Sequence, residues 1–524
     1  MTALALESYL AGRWVRGEGV ETVLVDPVTG AELATASAKG LDLAGAFAFA
    51  RKHGQPALRA MSYAERAKLV GAVADTLVAN RARYEEIAIA NSGNTKADAA
   101  IDIDGGIGTL KYFSRLGAGL GDARMLVDDK PVRLAKAENF QAIHLLVPRR
   151  GVAVHINAFN FPSWGLWEKA AVALISGIPV LAKPASATAL LAYAMVRDVI
   201  AAKVLPEGAL SLLVGGAGDL LGALTSEDVV AFTGSADTAA RVRGHHNVVA
   251  SSVPVNIEAD SINAAVLAPE ATAGSPSFEA FVREVVREMT VKAGQKCTAI
   301  RRIFVPQERA DAVTEALVAE LNATKVGNPR QDDVRMGPLV TRAQRTAAFD
   351  GIRRLAAEAQ VVCGGTEPPE IEGIDRSKAA FAAPTLLRLA DAANARAVHE
   401  VEVFGPAATV VPYRDEQDAC TLVARGGGSL VASVYGEDKD FLTRIVSEIA
   451  PSHGRVLVVD PAIASAHTGH GVVMPQCNHG GPGRAGNGEE LGGLQGLRLY
   501  HQRLAVQGST DLLASLQGKA ASLH

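Results

Sequence analysis

Gly151-Val152-Ala153-Val154-His155-Ile156 is the stretch on which the fold turns. It is short and apolar. A helix-like run over 164–176 follows it, and then Ile178-Pro179-Val180-Leu181-Ala182-Lys183 repeats the same character. Apolar runs of this length read as strands buried on both faces, and two of them around a helix make a βαβ unit. Outward from there the alternation continues: helix 188–203, strand 210–214, helix 219–225, strand 229–232 and helix 238–245. This spacing predicts an α/β fold with a parallel, doubly wound sheet, which binds ligands at the carboxyl ends of its strands. From about residue 263 the pattern restarts, with a helix over 278–292, a strand over 302–305 and a helix over 310–321. A second α/β unit is therefore expected. Upstream, residues 41–91 are Ala-rich with helical period, and Gly105, Gly106 and Gly108 are expected to break the helix pattern. Two further stretches, 134–146 and 496–508, have strand character outside both units.

Composition narrows the function classes. A chain of 524 residues exceeds one compact core, so two or three domains are expected. Hydrophobic residues make up 48%, which argues against extensive disorder. The net charge of -4 provides no basic field for nucleic acid. The 4 cysteines are scattered without CxxC spacing, so neither a disulfide framework nor a zinc site built on cysteine pairs is expected, and no metal is assigned. The most apolar stretch, 170–182, is interrupted by Ser176, Gly177 and Pro179 and is too short to span a bilayer. The N-terminal residues lack a basic region followed by an apolar core. A cytoplasmic protein with no membrane partner is the expectation.

Three segments carry candidate chemistry. Cys297, in Gly294-Gln295-Lys296-Cys297-Thr298, sits in small, glycine-containing backbone where a carbonyl can approach a thiolate. Glu258, in Asn256-Ile257-Glu258-Ala259-Asp260-Ser261, is a carboxylate among apolar neighbours that suits a general base, with Asp260 as the competitor. Asn160, in Phe159-Asn160-Phe161-Pro162, can donate its amide to an oxyanion. Each residue type also has an ordinary structural use: a buried thiol, a solvated loop acid, a turn asparagine. Phe232-Thr233-Gly234-Ser235 ends a strand and opens a helix, a geometry that aims backbone N–H groups at a phosphate. Lys183, in Lys183-Pro184-Ala185-Ser186, ends another strand, where it could reach a ribose or phosphate. The GxGxxG fingerprint is missing, and Gly216-Ala217-Gly218-Asp219-Leu220-Leu221-Gly222 carries one residue too many.

Taken together, and with Glu402-Val403-Phe404-Gly405-Pro406, these segments resemble the NAD(P)-dependent aldehyde dehydrogenase superfamily, in the same order and over most of the chain. The resemblance implies Cys297 as nucleophile, Glu258 as general base and Asn160 as oxyanion donor. It implies cofactor contacts from Ile156, Asn157, Phe159, Lys183, Ser186, Phe232, Gly234 and Ser235, with Glu402 and Phe404 at the nicotinamide ribose. It also implies a fold of three parts. A Rossmann-like dinucleotide-binding domain would take 1–130 and 151–262, and an α/β catalytic domain 263–475. A small β oligomerisation element would take 131–150 and 476–524, making a homodimer or homotetramer.

Departures from the family pattern point to a narrower branch. Glu258-Ala259-Asp260-Ser261 replaces the usual Glu-Leu-Gly-Gly. Pro475-Gln476-Cys477-Asn478-His479-Gly480-Gly481-Pro482-Gly483-Arg484 replaces the usual Pro-Phe-Gly-Gly. With the run 295–302, these resemble semialdehyde dehydrogenases of aromatic degradation through coenzyme A thioesters, including the dehydrogenase half of the phenylacetate ring-opening enzymes. The implied substrate is a CoA-linked semialdehyde of aerobic benzoate catabolism. A semialdehyde dehydrogenase of phenylacetate degradation, a broad medium-chain aldehyde dehydrogenase and a non-redox cysteine hydrolase are the alternatives. Ser186 occupies the place where NAD-preferring relatives often carry a glutamate. A carboxylate there would repel a 2′-phosphate and a hydroxyl would not, so NADP is the expected cofactor, with NAD possible. The pocket walls are expected in loops around 110–116 and 476–479.

Overall fold

The computed structural model describes residues 4–523. The deciding strand, Ala153–Ile156, is an interior strand, third from one edge, of a seven-stranded sheet. On one side it pairs in parallel with Val180–Lys183, which pairs with Leu210–Leu212. On the other side it pairs in parallel with Val229–Thr233, which pairs with Val255–Glu258. The sequential order therefore reverses at Ala153–Ile156, and a crevice opens there at the strands' carboxyl ends. Two N-terminal strands, Ser8–Leu10 and Arg13–Val15, extend the far edge antiparallel. Val152, Val154, Val180, Val229 and Val230 are fully buried. Burying a side chain of this size stabilises by about 1.5–3 kcal/mol, which explains why these runs are apolar without alternation.

A second seven-stranded sheet has Ile300–Pro306 at its centre, flanked by Asn263–Leu267 and Ala407–Tyr413. Ser429–Tyr435 and His453–Val459 continue it on one side, and Thr385–Leu389 on the other, all parallel. Only the edge strand Ala359–Cys363 runs antiparallel. A third sheet pairs Phe140–Pro148 with His501–Ser509 over nine residues each, antiparallel. The strand character read at 134–146 and 496–508 thus corresponds to two partners in one sheet. Among the described residues no helix is long and apolar enough to cross a membrane.

Three sequence expectations fail for physical reasons. The helix Lys96–Gly119 runs straight through Gly105, Gly106 and Gly108. A β-carbon on Gly105 would lie 2.4 Å from the Trp164 ring, and one on Gly106 would lie 3.0 Å from the Ser163 hydroxyl. These glycines serve close packing against the helix Trp164–Ile175, not termination. The expected loop at 110–116 lies within the same helix. The helix expected over 219–225 does not form; residues 218–223 make turns instead. Here the Gly216 N–H donates to Glu21 Oε2 (3.0 Å), so the near-match to a dinucleotide fingerprint opens no helix.

Candidate active site

Cys297 follows a tight turn. Lys292, Ala293 and Gly294 have φ of 54°, 51° and 67°. At Gly294 a β-carbon would strike the Gly405 carbonyl oxygen at 2.3 Å, so glycine is the residue that fits. The buried Arg301 guanidinium ties this turn to its neighbour. It donates to the Gly405 carbonyl at 2.7 Å, to that of Gly294 at 2.8 Å and to that of Lys296 at 3.2 Å. Asn263 Nδ2 donates to the Cys297 carbonyl (2.8 Å), and Thr298 Oγ1 to that of Gly471 (3.0 Å). The thiol is thus presented on backbone fixed from three directions.

The structure brings the sequence-predicted catalytic residues together. Cys297, Glu258 and Asn160 line one cavity with Asn157, Phe161, Trp164, Thr233 and Val473. Glu258 closes the strand Val255–Glu258, and Asn160 lies beyond the strand Ala153–Ile156. Both therefore stand at carboxyl ends of the first sheet, facing the Cys297 turn. Phe159 meets Phe404 edge-on at 5.5 Å between ring centroids, and Arg301 stacks over Phe404 at 5.7 Å.

One residue of this cluster had no assigned chemistry in the sequence. His479 Nε2 lies 2.9 Å from Glu258 Oε2. A sulfur of Cys297, a carboxylate oxygen of Glu258 and a ring nitrogen of His479 all lie within 4.8 Å of one another. His479 comes from the hairpin Asn478–Gly481 with Gly488–Leu491, in which it sits directly across from Glu490. Asn256 anchors this hairpin: its Oδ1 accepts from the Glu489 N–H (2.9 Å) and its Nδ2 donates to Glu490 Oε1 (3.1 Å). Glu490 in turn lies 3.0 Å from the buried Lys169 ammonium, which also reaches Glu168 at 3.2 Å. Such a cluster could have been suspected only from the departure at 475–484. Nothing local indicates that His479 reaches a residue so far away in the chain.

These charges set the protonation states. Burial works to raise the Glu258 pKa, but His479 and Lys169 outweigh it and hold the carboxyl at about 2. Burial works to lower that of His479, and Glu258, Glu168 and Glu490 together raise it. The pair thus favours the imidazolium and carboxylate forms. Burial and the nearby Glu258 charge push the Cys297 thiol well above its ordinary value. Burial lifts Glu402 to about 7 against the opposing charge of Arg301.

The remaining sequence-predicted residues gather at the crevice. The Asn157 N–H donates to the Lys183 carbonyl at 3.0 Å, and its buried side-chain amide has no hydrogen-bond partner. Lys183 ends its strand with the ammonium 3.2 Å from the Pro184 carbonyl. Ser186 Oγ donates to the Gly215 carbonyl at 2.9 Å. Ser235 caps the helix Ala236–Arg243, just beyond Phe232 and Gly234. Sequence reading missed Glu21, whose carboxylate accepts from the Ala38 and Gly216 N–H groups (2.6 and 3.0 Å) and acts electrostatically on Lys183.

A cysteine, a carboxylate and an amide in one cavity, at the carboxyl ends of a doubly wound sheet, define a class. The chain belongs to the aldehyde dehydrogenase family, whose sequence pattern matches residues 14–506. It is an oxidoreductase. It is 54% identical to the 3,4-dehydroadipyl-CoA semialdehyde dehydrogenase of Aromatoleum evansii over 481 residues, which cover 91% of this chain and 93% of that protein. It is 42% identical to Protein MaoC of Klebsiella aerogenes over 182 residues, 34% of this chain and 52% of that protein. The fold matches betaine aldehyde dehydrogenase of Staphylococcus aureus, solved in complex with NAD+. The TM-score is 0.83 at 23% identity, covering 97% of this chain and 98% of that one.

Proposed function

We propose that this enzyme oxidises 3,4-dehydroadipyl-CoA semialdehyde to the carboxylic acid in aerobic benzoate degradation, with NADP as cofactor. The 54% identity across nearly all of both chains carries the substrate reading. The crevice suits a dinucleotide: the buried Asn157 amide is unpartnered, and Lys183 and the Ser235 helix start stand at strand ends.

In the proposed reaction the Cys297 thiol gives its proton to solvent as the sulfur attacks the aldehyde carbon. The Asn160 amide and the Cys297 N–H hold the resulting oxyanion. When bound, the nicotinamide supplies the hydride acceptor that makes the adduct a thioester. Glu258, kept ionised by His479, then takes a proton from the water that attacks this thioester, and the carboxylic acid leaves. A carboxylate with so low a pKa is a weak base while His479 is charged. Loss of the His479 proton as pH rises would strengthen it, so hydrolysis is expected to quicken on the alkaline side. Glu258 also favours water over free coenzyme A as acyl acceptor. A cysteine–histidine hydrolase is disfavoured because His479 directs Nε2 to Glu258.

NADP use is supported by the lack of a carboxylate at Ser186. Absorbance at 340 nm with the CoA-linked semialdehyde and either cofactor tests the proposal. The semialdehyde should outperform a CoA-free medium-chain aldehyde, and NADP should outperform NAD. Equal rates with both aldehydes would remove the substrate reading. Ser186→Glu should lower kcat/KM for NADP by about tenfold or more while leaving NAD much less affected. An unchanged NADP-to-NAD ratio in that variant would remove Ser186 from cofactor choice.

A further inference from the structure

Cys297, Glu258 and His479 bring a thiol, a carboxylate and an imidazole together at one cavity, with ligand atoms within 4.8 Å of one another. Zinc takes this donor set, with bonds of about 2.3 Å to sulfur and about 2.0–2.2 Å to nitrogen and oxygen, and a fourth position left for water. Glu258 is 3% exposed, and its Oε1 is buried without a hydrogen-bond partner. An acceptor in that condition gains from any cation that reaches it. The surrounding cations each have an opposing carboxylate: Lys169 faces Glu168 and Glu490, while Arg301 and Arg455, which also act on Cys297, are offset by Glu288, and Arg301 by Glu402 as well.

We propose that this trio is an inhibitory binding site for Zn2+. The metal displaces the Cys297 thiol proton and the proton shared by His479 and Glu258, and both go to solvent. No electron moves. With zinc in place, the sulfur cannot attack an aldehyde and the carboxylate cannot accept a proton from water. The block is reversible by a chelator and tightens as pH rises, because protons compete with the metal.

The test uses the full-length reduced protein without cofactor and reads binding rather than turnover. Titration calorimetry with Zn2+ should show one equivalent bound with release of about two protons. Co2+ should show a thiolate charge-transfer band that is absent in Cys297→Ala. His479→Gln should weaken zinc by about tenfold or more. Zinc should also shield Cys297 of the unaltered protein from iodoacetamide and leave Cys477, which is exposed, fully reactive by peptide mass spectrometry. Unchanged affinity in His479→Gln would overturn the site, as would shielding that falls on Cys477 instead of Cys297. The shielding experiment decides the matter even if the histidine variant fails to fold.

Discussion

Replacing Cys297 with alanine is expected to lower aldehyde-dependent cofactor reduction by at least about a thousandfold, with dinucleotide binding retained. The separation of effects follows from position. The thiol stands at the meeting of the two large sheets, whereas Lys183, Ser186 and Ser235 belong to elements of the first sheet's region alone. The backbone around residue 297 is held by Asn263, Arg301 and Thr298, none of which uses the sulfur. Truncating the side chain should therefore leave the turn in place. Turnover by the variant within tenfold of the parent would end the covalent scheme. Loss of dinucleotide binding, read by calorimetry, would mean that the sulfur holds the crevice together.

Glu258→Gln carries the second large effect and a signature of its own. Steady-state turnover should fall by about 10²–10⁴, while a rapid first burst of reduced cofactor survives, because thioester formation precedes the step that needs a base. Burial is the first reason the Cys297 thiol is hard to ionise, and the Glu258 charge is the second. Removing that charge lowers the thiol pKa, so iodoacetamide should alkylate the variant faster than the parent at a fixed neutral pH. Slower alkylation would instead show that Glu258 helps to form the thiolate. The carboxylate's contribution to stability has a defined pH window. Its folded value of about 2 lies below the ordinary value, so the stabilisation is complete above about pH 5 and is lost as pH falls towards 2. His479 behaves in the opposite sense. Its raised value gives stabilisation that is full below its ordinary pKa and is lost as pH rises through the folded one.

Much of this was legible in the sequence. The βαβ alternation from 151 onward announced the doubly wound sheet because strands covered on both faces must be continuously apolar. Cys297, Glu258 and Asn160 were found as local segments, since each sits at a turn or strand end with its own signature, and the structure places them at one cavity. What escaped was long-range. His479 reaches Glu258 only because a hairpin near the chain's end folds over the edge strand Val255–Glu258. Glu21 enters the crevice from the opposite end of the chain. Periodicity encodes what an element is, not which distant element it meets. The glycines at 105 and 106 misled for a related reason: a helix breaker and a packing surface are the same residue when the reason for having no side chain lies in another helix, whereas Gly108 faces open space.

Gly105 therefore bears on the Cys297 cavity from behind its wall. Trp164 lines the cavity with one face, and its ring carbons would lie 2.4 Å from any β-carbon at Gly105. A single methyl group added there would force the indole or the helix that carries the glycine to shift. The shape of the cavity beside Cys297 thus depends on a residue that does not itself line it.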